Sequence, residues 1–305
     1  MPASAASTRT RESGYAQTDQ GRLRYERVGE GPPIIAIAGG PGTSLRSLGS
    51  VLDVLADRHT VIYFDNLGRG LSDDLPSGVQ HSPHRDADDV EALRRALKLG
   101  PITVFGHSYG GYPALAYAAA HGEHLSRLVL SSTGYRAASW QANIDNVARF
   151  VQTQYPELWS KLAALTRRGV RSSHAEFAAL FDLVDIEALY WYDRSHQRLR
   201  LPPADPREKF RPTVYAAMLG DDPEVRVGGT LADFDASATL AALRCPLLIT
   251  SGRHDRVALP SVAAEMAALA PPHRTTWAVF ERSGHFPWIE EPEAFGQTLR
   301  SFMTR

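Results

Sequence analysis

ITVFGHSYGGYPALAYAAAHG, residues 102–122, opens on four apolar or β-branched residues and turns through Gly106-His107-Ser108-Tyr109-Gly110. After Gly111 and Tyr112 it continues as an alanine-rich segment of helical composition. Strand, G-x-S-x-G and helix, in that order, is the arrangement a nucleophilic serine requires. A sharp, strained turn leaves the Ser108 hydroxyl exposed, and glycines at 106 and 110 relieve the crowding that side chains would cause there. The same turn sets the Tyr109 N–H at a helix N-terminus, where it can face a developing oxyanion. His107 reads as an elbow side chain directed away from Ser108.

Outward from this stretch, short apolar runs recur at 34–38, 60–64, 128–131, 247–250 and 276–280, each bounded by Gly, Pro or polar residues. Runs of that length without polar alternation suit strands buried on both faces of a mostly parallel sheet. Helical patterns separate them at 44–57, 87–97, 109–120, 259–269 and 292–304, and the alternation reads as an open α/β sheet. Asp86, Asp88 and Asp89 cluster where the second helix begins, as suits the positive end of a helix dipole. The alternation fails between 134 and 235, where helical segments (140–154, 156–166, 175–183) precede a Pro- and Arg-rich passage at 194–212. The expected organisation is a disordered tail at 1–14, a core formed by 15–133 and 236–305, and a helical cap at 134–235.

Ser108 needs a base, and eleven histidines are available. Most lie in polar stretches away from strand ends. His285 alone follows the last strand, in Glu281-Arg282-Ser283-Gly284-His285-Phe286. The preceding strand leads into Ser251-Gly252-Arg253-His254-Asp255, which places Asp255 to orient that base; His254 reads as a surface neighbour of the acid. The position after 128–131 reads Ser132-Thr133-Gly134 and offers no carboxylate. The order Ser, Asp, His then follows the hydrolase template. A second oxyanion donor is expected from Gly39-Gly40-Pro41-Gly42. Neither a G-x-x-x-x-G-K-[ST] nor a strand-linked G-x-G-x-x-G occurs, so that loop is not read as a nucleotide cradle.

Composition excludes other classes. Of 305 residues 43% are apolar and 22% charged, with 33 basic against 34 acidic side chains, a formal charge of -1. Neither nucleic acid nor an anionic membrane is an expected partner. The one cysteine, Cys245, permits no intramolecular disulfide or cysteine-based zinc site and reads as a buried core residue. No metal or cofactor is expected. The N-terminus lacks an apolar signal core and no run reaches the length of a membrane span, so a cytoplasmic location is expected.

These motifs resemble those of the proline iminopeptidase-like peptidases of the α/β-hydrolase superfamily, from about residue 21 to 303. Gly39-Gly40-Pro41-Gly42 is similar to the family's H-G-G-P-G loop, Asp65-Asn66-Leu67-Gly68-Arg69-Gly70-Leu71-Ser72 to its D-Q-x-G-x-G-x-S segment, and Ser108-Tyr109-Gly110-Gly111 and Ser283-Gly284-His285 match as well. The resemblance implies the α/β-hydrolase fold: a mostly parallel sheet, flanking helices and an inserted helical cap. It implies an oxyanion hole from the Gly40 and Tyr109 N–H groups, and substrate contacts from Gly39 and from Glu224, which would bind a free α-amine. Two departures stand out. Ala38 replaces the histidine before the glycines, removing one support of that loop. Arg256 replaces a second amine-binding glutamate, and either meets substrate, turns to solvent or pairs with a carboxylate. The expected activity is amide hydrolysis of a small or short-peptide substrate through an acyl-enzyme. The alternatives are an ester, lactone or acyl amide without a free amine, or a non-catalytic ligand-binding relative.

Overall fold

Strands supply eight neighbours of one sheet in the computed structural model, which describes residues 10–304. They are β1 (Glu12–Thr18), β2 (Gly21–Val28), β3 (Pro33–Ile37), β4 (Thr60–Phe64), β5 (Ile102–His107), β6 (Leu125–Ser131), β7 (Leu247–Gly252) and β8 (Thr275–Phe280). Their order is β1-β2-β4-β3-β5-β6-β7-β8. β1 and β2 pair antiparallel with each other, β2 pairs antiparallel with β4, and every pairing from β3 and β4 onward is parallel.

Residues alternate between two apolar layers, which is why the central strands carry apolar runs without polar gaps. Ile35, Ile37, Val104, Leu128, Leu130 and Ile249 face α1 (Pro83–Ala96), α2 (Gly111–Ala120), and, through Leu240 and Met266, α7 (Ser237–Ala241) and α8 (Pro260–Leu269). Ile34, Ala36, Val61, Phe105, Val129 and Leu248 face the opposite layer, where Leu45, Leu48, Leu52 and Leu55 pack with Phe295, Leu299 and Phe302 of α10 (Pro292–Met303). Between β6 and β7 an insertion carries α3 (Ala137–Gln154), α4 (Pro156–Arg167), α5 (Ala175–Phe181), α6 (Pro212–Leu219), several 3-10 turns and α7. It has an apolar cluster of its own, built on Phe150, Val151, Leu162, Leu165, Phe177 and Leu189. A short α9 (Pro287–Glu290) follows the loop after β8.

Three expectations need correction. Glu12 to Gly14, assigned to a disordered tail, begin β1; residues 1–9 of that tail lie outside the described residues. The helix expected at 44–57 is two 3-10 turns, Leu45–Leu48 and Asp53–Leu55, broken where Gly49 takes φ +58°. Helix α1 starts at Pro83, with the Ser82 hydroxyl accepting the Arg85 N–H as its cap. Asp86 lies in the first turn of α1, as expected, and Asp88 and Asp89 follow within the helix; Asp86 and Asp89 are buried, so their role exceeds a dipole effect.

That role is structural coupling. Arg69 is buried and forms a bidentate pair with Asp86, at 2.8 and 2.9 Å. The Arg69 Nε–H also donates to the Pro41 carbonyl, and the Tyr109 hydroxyl donates to Asp86 Oδ2 at 2.7 Å. Breaking a buried pair by removing one partner strands a charge and costs about 3–5 kcal/mol. Arg69→Met is therefore expected to lower unfolding free energy by about that amount in urea titrations. A loss below about 1 kcal/mol would show that Asp86 finds other solvation.

Candidate active site

β5 ends at His107, and Ser108 follows with φ +54°, in the left-handed region that costs a non-glycine residue energy. A Cβ at Gly106 would stand 2.4 Å from the Gly110 carbonyl oxygen, and one at Gly110 would stand 2.4 Å from that of Ile37. Only glycine fits either place, so the turn stays tight. The Thr133 hydroxyl donates to the Ser108 carbonyl from the end of β6 and fixes the elbow from the other side.

Asp255, directly after β7, is buried, and its two oxygens are divided between two tasks. Oδ1 accepts the N–H groups of Val257 and Ala258, both at 2.8 Å. Oδ2 lies 2.8 Å from His285 Nδ1. A carboxylate oxygen accepts only from a protonated ring nitrogen, so this contact requires a proton on Nδ1 and leaves Nε2 of the neutral ring unprotonated. His285 is also buried, with its N–H donating to the Tyr190 carbonyl at 2.7 Å and the Tyr190 ring edge-on at 5.2 Å. Ser108 and His285 line one cavity of about 400 Å³. No hydrogen bond joins Ser108 Oγ to the imidazole among the described residues; catalytic contacts of this kind tighten when substrate binds.

The loop expected to hold the oxyanion lies against Ser108. A Cβ on Gly39 would meet Ser108 Cβ at 2.8 Å, so the backbone approaches that serine as only glycine permits. Gly39 and Gly40 line the cavity. The support lost with the histidine at 38 is replaced by other contacts. Arg69 holds the Pro41 carbonyl, the Thr43 hydroxyl donates to the Gly39 carbonyl, and the Arg211 N–H donates to the Gly42 carbonyl at 2.9 Å. Asp65 accepts the N–H groups of Leu45 and Leu71 at 2.7 and 2.9 Å, and burial pushes its carboxyl up to about 6.

Other sequence-selected residues divide. Glu224 lines the cavity, and its carboxylate has no ion-pair partner among the described residues; burial raises it to about 7. Arg256 is placed differently from Glu224. Its side chain is exposed and lies over the Phe150 ring, 5.1 Å from the centroid, and the residue is absent from the cavity wall. His254 is exposed and packs at a tilt against the Tyr192 ring, with centroids 4.6 Å apart. His107 is buried, with Nε2 3.1 Å from the His285 carbonyl and its ring edge-on to Trp288. Burial, reinforced by His285, holds it well below the usual histidine range, so it supports the base loop as a neutral ring. Cys245 is buried, as its apolar surroundings suggest.

The wall also contains residues that no motif flagged: Ser139, Trp140, Asn143, Arg200, Phe210 and Tyr215, all from the insertion. Ser132 Oγ, Ser139 Oγ and Asn143 Oδ1 are buried there without a hydrogen-bond partner. Glu290 is a further residue of the site's support. Its buried carboxylate accepts the Tyr192 and Asp193 N–H groups at 2.9 and 2.8 Å through Oε1, and the Gly284 N–H at 2.6 Å through Oε2. One carboxylate thus joins the insertion to the base loop. Away from the cavity, Glu91, His121 and His124 bring possible metal-ligand atoms within 4.8 Å of one another. Glu91 already holds Arg94 through both oxygens, at 2.7 and 2.8 Å, which disfavours a second cation there.

Residues 32–292 match the family model described as the alpha/beta hydrolase fold. The chain is 28% identical to a proline iminopeptidase of Heyndrickxia coagulans over 293 residues, covering 95% of this chain and 98% of that relative. It is 31% identical to a proline iminopeptidase of Clostridium botulinum over 288 residues, covering 93% and 94%. The crystal structure of a Mycobacterium smegmatis proline iminopeptidase superposes with a TM-score of 0.74 at 22% identity, covering 96% of this chain and 98% of that one. The Ser–Asp–His order, the sheet that carries it and these full-length matches agree: the chain belongs to the α/β-hydrolase fold family, in its proline iminopeptidase-like group.

Proposed function

We propose that this protein is a serine hydrolase that releases the N-terminal residue of a small substrate by cleaving an amide bond through an acyl-enzyme. The observation that carries the reading is the cavity itself. It joins an elbow serine, an aspartate-oriented histidine and one unpaired carboxylate, Glu224, along the wall of a single cavity. Ser108 Oγ attacks the carbonyl while His285 Nε2 takes its proton. The Gly40 and Tyr109 N–H groups donate to the oxyanion. His285 then returns the proton to the leaving amine, and the amide C–N bond breaks. A water, deprotonated by the same imidazole, opens the ester and regenerates Ser108. Gly39 lets the backbone approach the scissile group, and Glu224 holds the α-ammonium. A reading without a free amine draws support from the place beside Asp255, where an arginine stands instead of a second carboxylate. That arginine lies over the Phe150 ring and is not among the residues that line the cavity.

Replacing Ser108 by alanine is expected to reduce turnover by roughly 10⁴-fold or more with the fold intact. A fluorophosphonate should label one site, mapped by mass spectrometry to the Ser108 peptide. Residual activity of several per cent in the purified variant would end the serine mechanism.

Glu224→Gln is expected to lower kcat/KM for free-amine substrates by roughly 10- to 150-fold near pH 8, and to leave N-acetylated counterparts alone. Because burial raises this carboxyl to about 7, its charge is present above that pH and lost below it. The advantage of wild type over the glutamine variant should therefore shrink as pH falls from 8 to 6. Equal rates for both proteins on free-amine substrates across that range, with the blocked substrate preferred, would favour the amine-free reading.

A further inference from the structure

The cavity is dipolar. Among the residues that line it, Glu224 is the single carboxylate and Arg200 the single arginine or lysine. Arg200 stands on the side of the base. Its guanidinium lies over the Phe286 ring, 4.9 Å from the centroid, and Phe286 follows His285 directly in the chain. His285 must hand its proton to the leaving amine, so the leaving fragment lies beside that imidazole and next to Phe286. Ile186 and Phe210 line the same space and are more than a third exposed, which gives an apolar side chain of that fragment surfaces to rest on.

The geometry points to Arg200 as the specificity residue for the leaving group: it binds the free α-carboxylate of a released amino acid, so that the preferred substrates are dipeptides. This rests on the aminopeptidase reading above and adds the identity of the second residue. Arg200 is available for the task. One of its terminal nitrogens lies 3.2 Å from Glu187 Oε1, in a pair exposed by more than 30% on both sides. Such pairs contribute little and are readily exchanged. Glu187 is held independently by the Trp191 indole N–H at 3.0 Å, and the remaining Arg200 N–H groups have no partner among the described residues. A guanidinium presents two parallel donors to a carboxylate, a geometry that an amide or arylamine leaving group cannot use.

The test compares a dipeptide ending in leucine, its C-terminal amide and the corresponding p-nitroanilide. All three carry the N-terminal residue whose p-nitroanilide wild type cleaves fastest. Wild type is expected to favour the dipeptide over its amide by roughly 10- to 100-fold in kcat/KM, chiefly through KM. In Arg200→Gln that ratio should fall to about one, and in Arg200→Lys, which keeps the charge and loses the fork, to an intermediate value. Cleavage of the anilide with no wild-type preference for the dipeptide overturns the carboxylate subsite alone. An equal dipeptide-to-amide ratio in wild type and Arg200→Gln does the same. Failure to cleave any aminoacyl anilide or peptide overturns the aminopeptidase reading, and this subsite with it.

Discussion

Arg69 and Asp86 meet as two parallel, charge-assisted hydrogen bonds in a part of the protein that water does not reach. Around this pair converge three segments far apart in sequence. The glycine loop after β3 is held through the Pro41 carbonyl, the elbow after β5 through the Tyr109 hydroxyl, and α1 supplies Asp86 itself. Two of these segments carry the N–H groups assigned to the oxyanion. Such donors are effective only when fixed before reaction, because an immobile dipole needs no reorganisation as charge develops. A buried ion pair adds little net stability over apolar packing of equal volume. Its contribution here is directional: guanidinium and carboxylate accept one mutual orientation, and the two loops inherit it.

The Asp255–His285 pair is held in a similar way, by backbone groups. Asp255 spends one oxygen on the Val257 and Ala258 N–H groups and aims the other at His285. His285 in turn is tied through its own N–H to Tyr190 of the insertion, and through its carbonyl to the neutral ring of His107. Residues that read as bystanders in the sequence thus act as the frame of the reactive ones.

Much of this was legible because the constraints are local. Five parallel strands stand out as apolar runs since both sheet faces are covered there, whereas β8 is a partly exposed edge strand, and the Ser–Asp–His order follows from strand ends that succeed one another along the chain. The β1–β2 hairpin escaped notice because, in β1, Ala16 alone is buried, so no apolar run marks it. At 44–57 leucines spaced as in a helix suggested one, but Gly49 and the Asp65 contact to the Leu45 N–H break the segment into 3-10 turns. Asp86 carried an acidic-cap signal that its burial against Arg69 overrides. Arg256 shows a different limit. Sequence position places a side chain on a loop, but the Phe150 ring, more than a hundred residues away, decides which way it turns. Arg200 and the α3 residues Ser139 and Asn143 reach the cavity from two parts of the insertion, and no spacing rule links such residues to a distant serine.

Glu290 ties the insertion to the loop that carries His285. Its single carboxylate grips the backbone at 192–193 and at Gly284, the residue before the base. The same carboxylate therefore couples the backbone of the insertion at 192–193 to the loop that carries His285, so a displacement of either segment would strain bonds to the other.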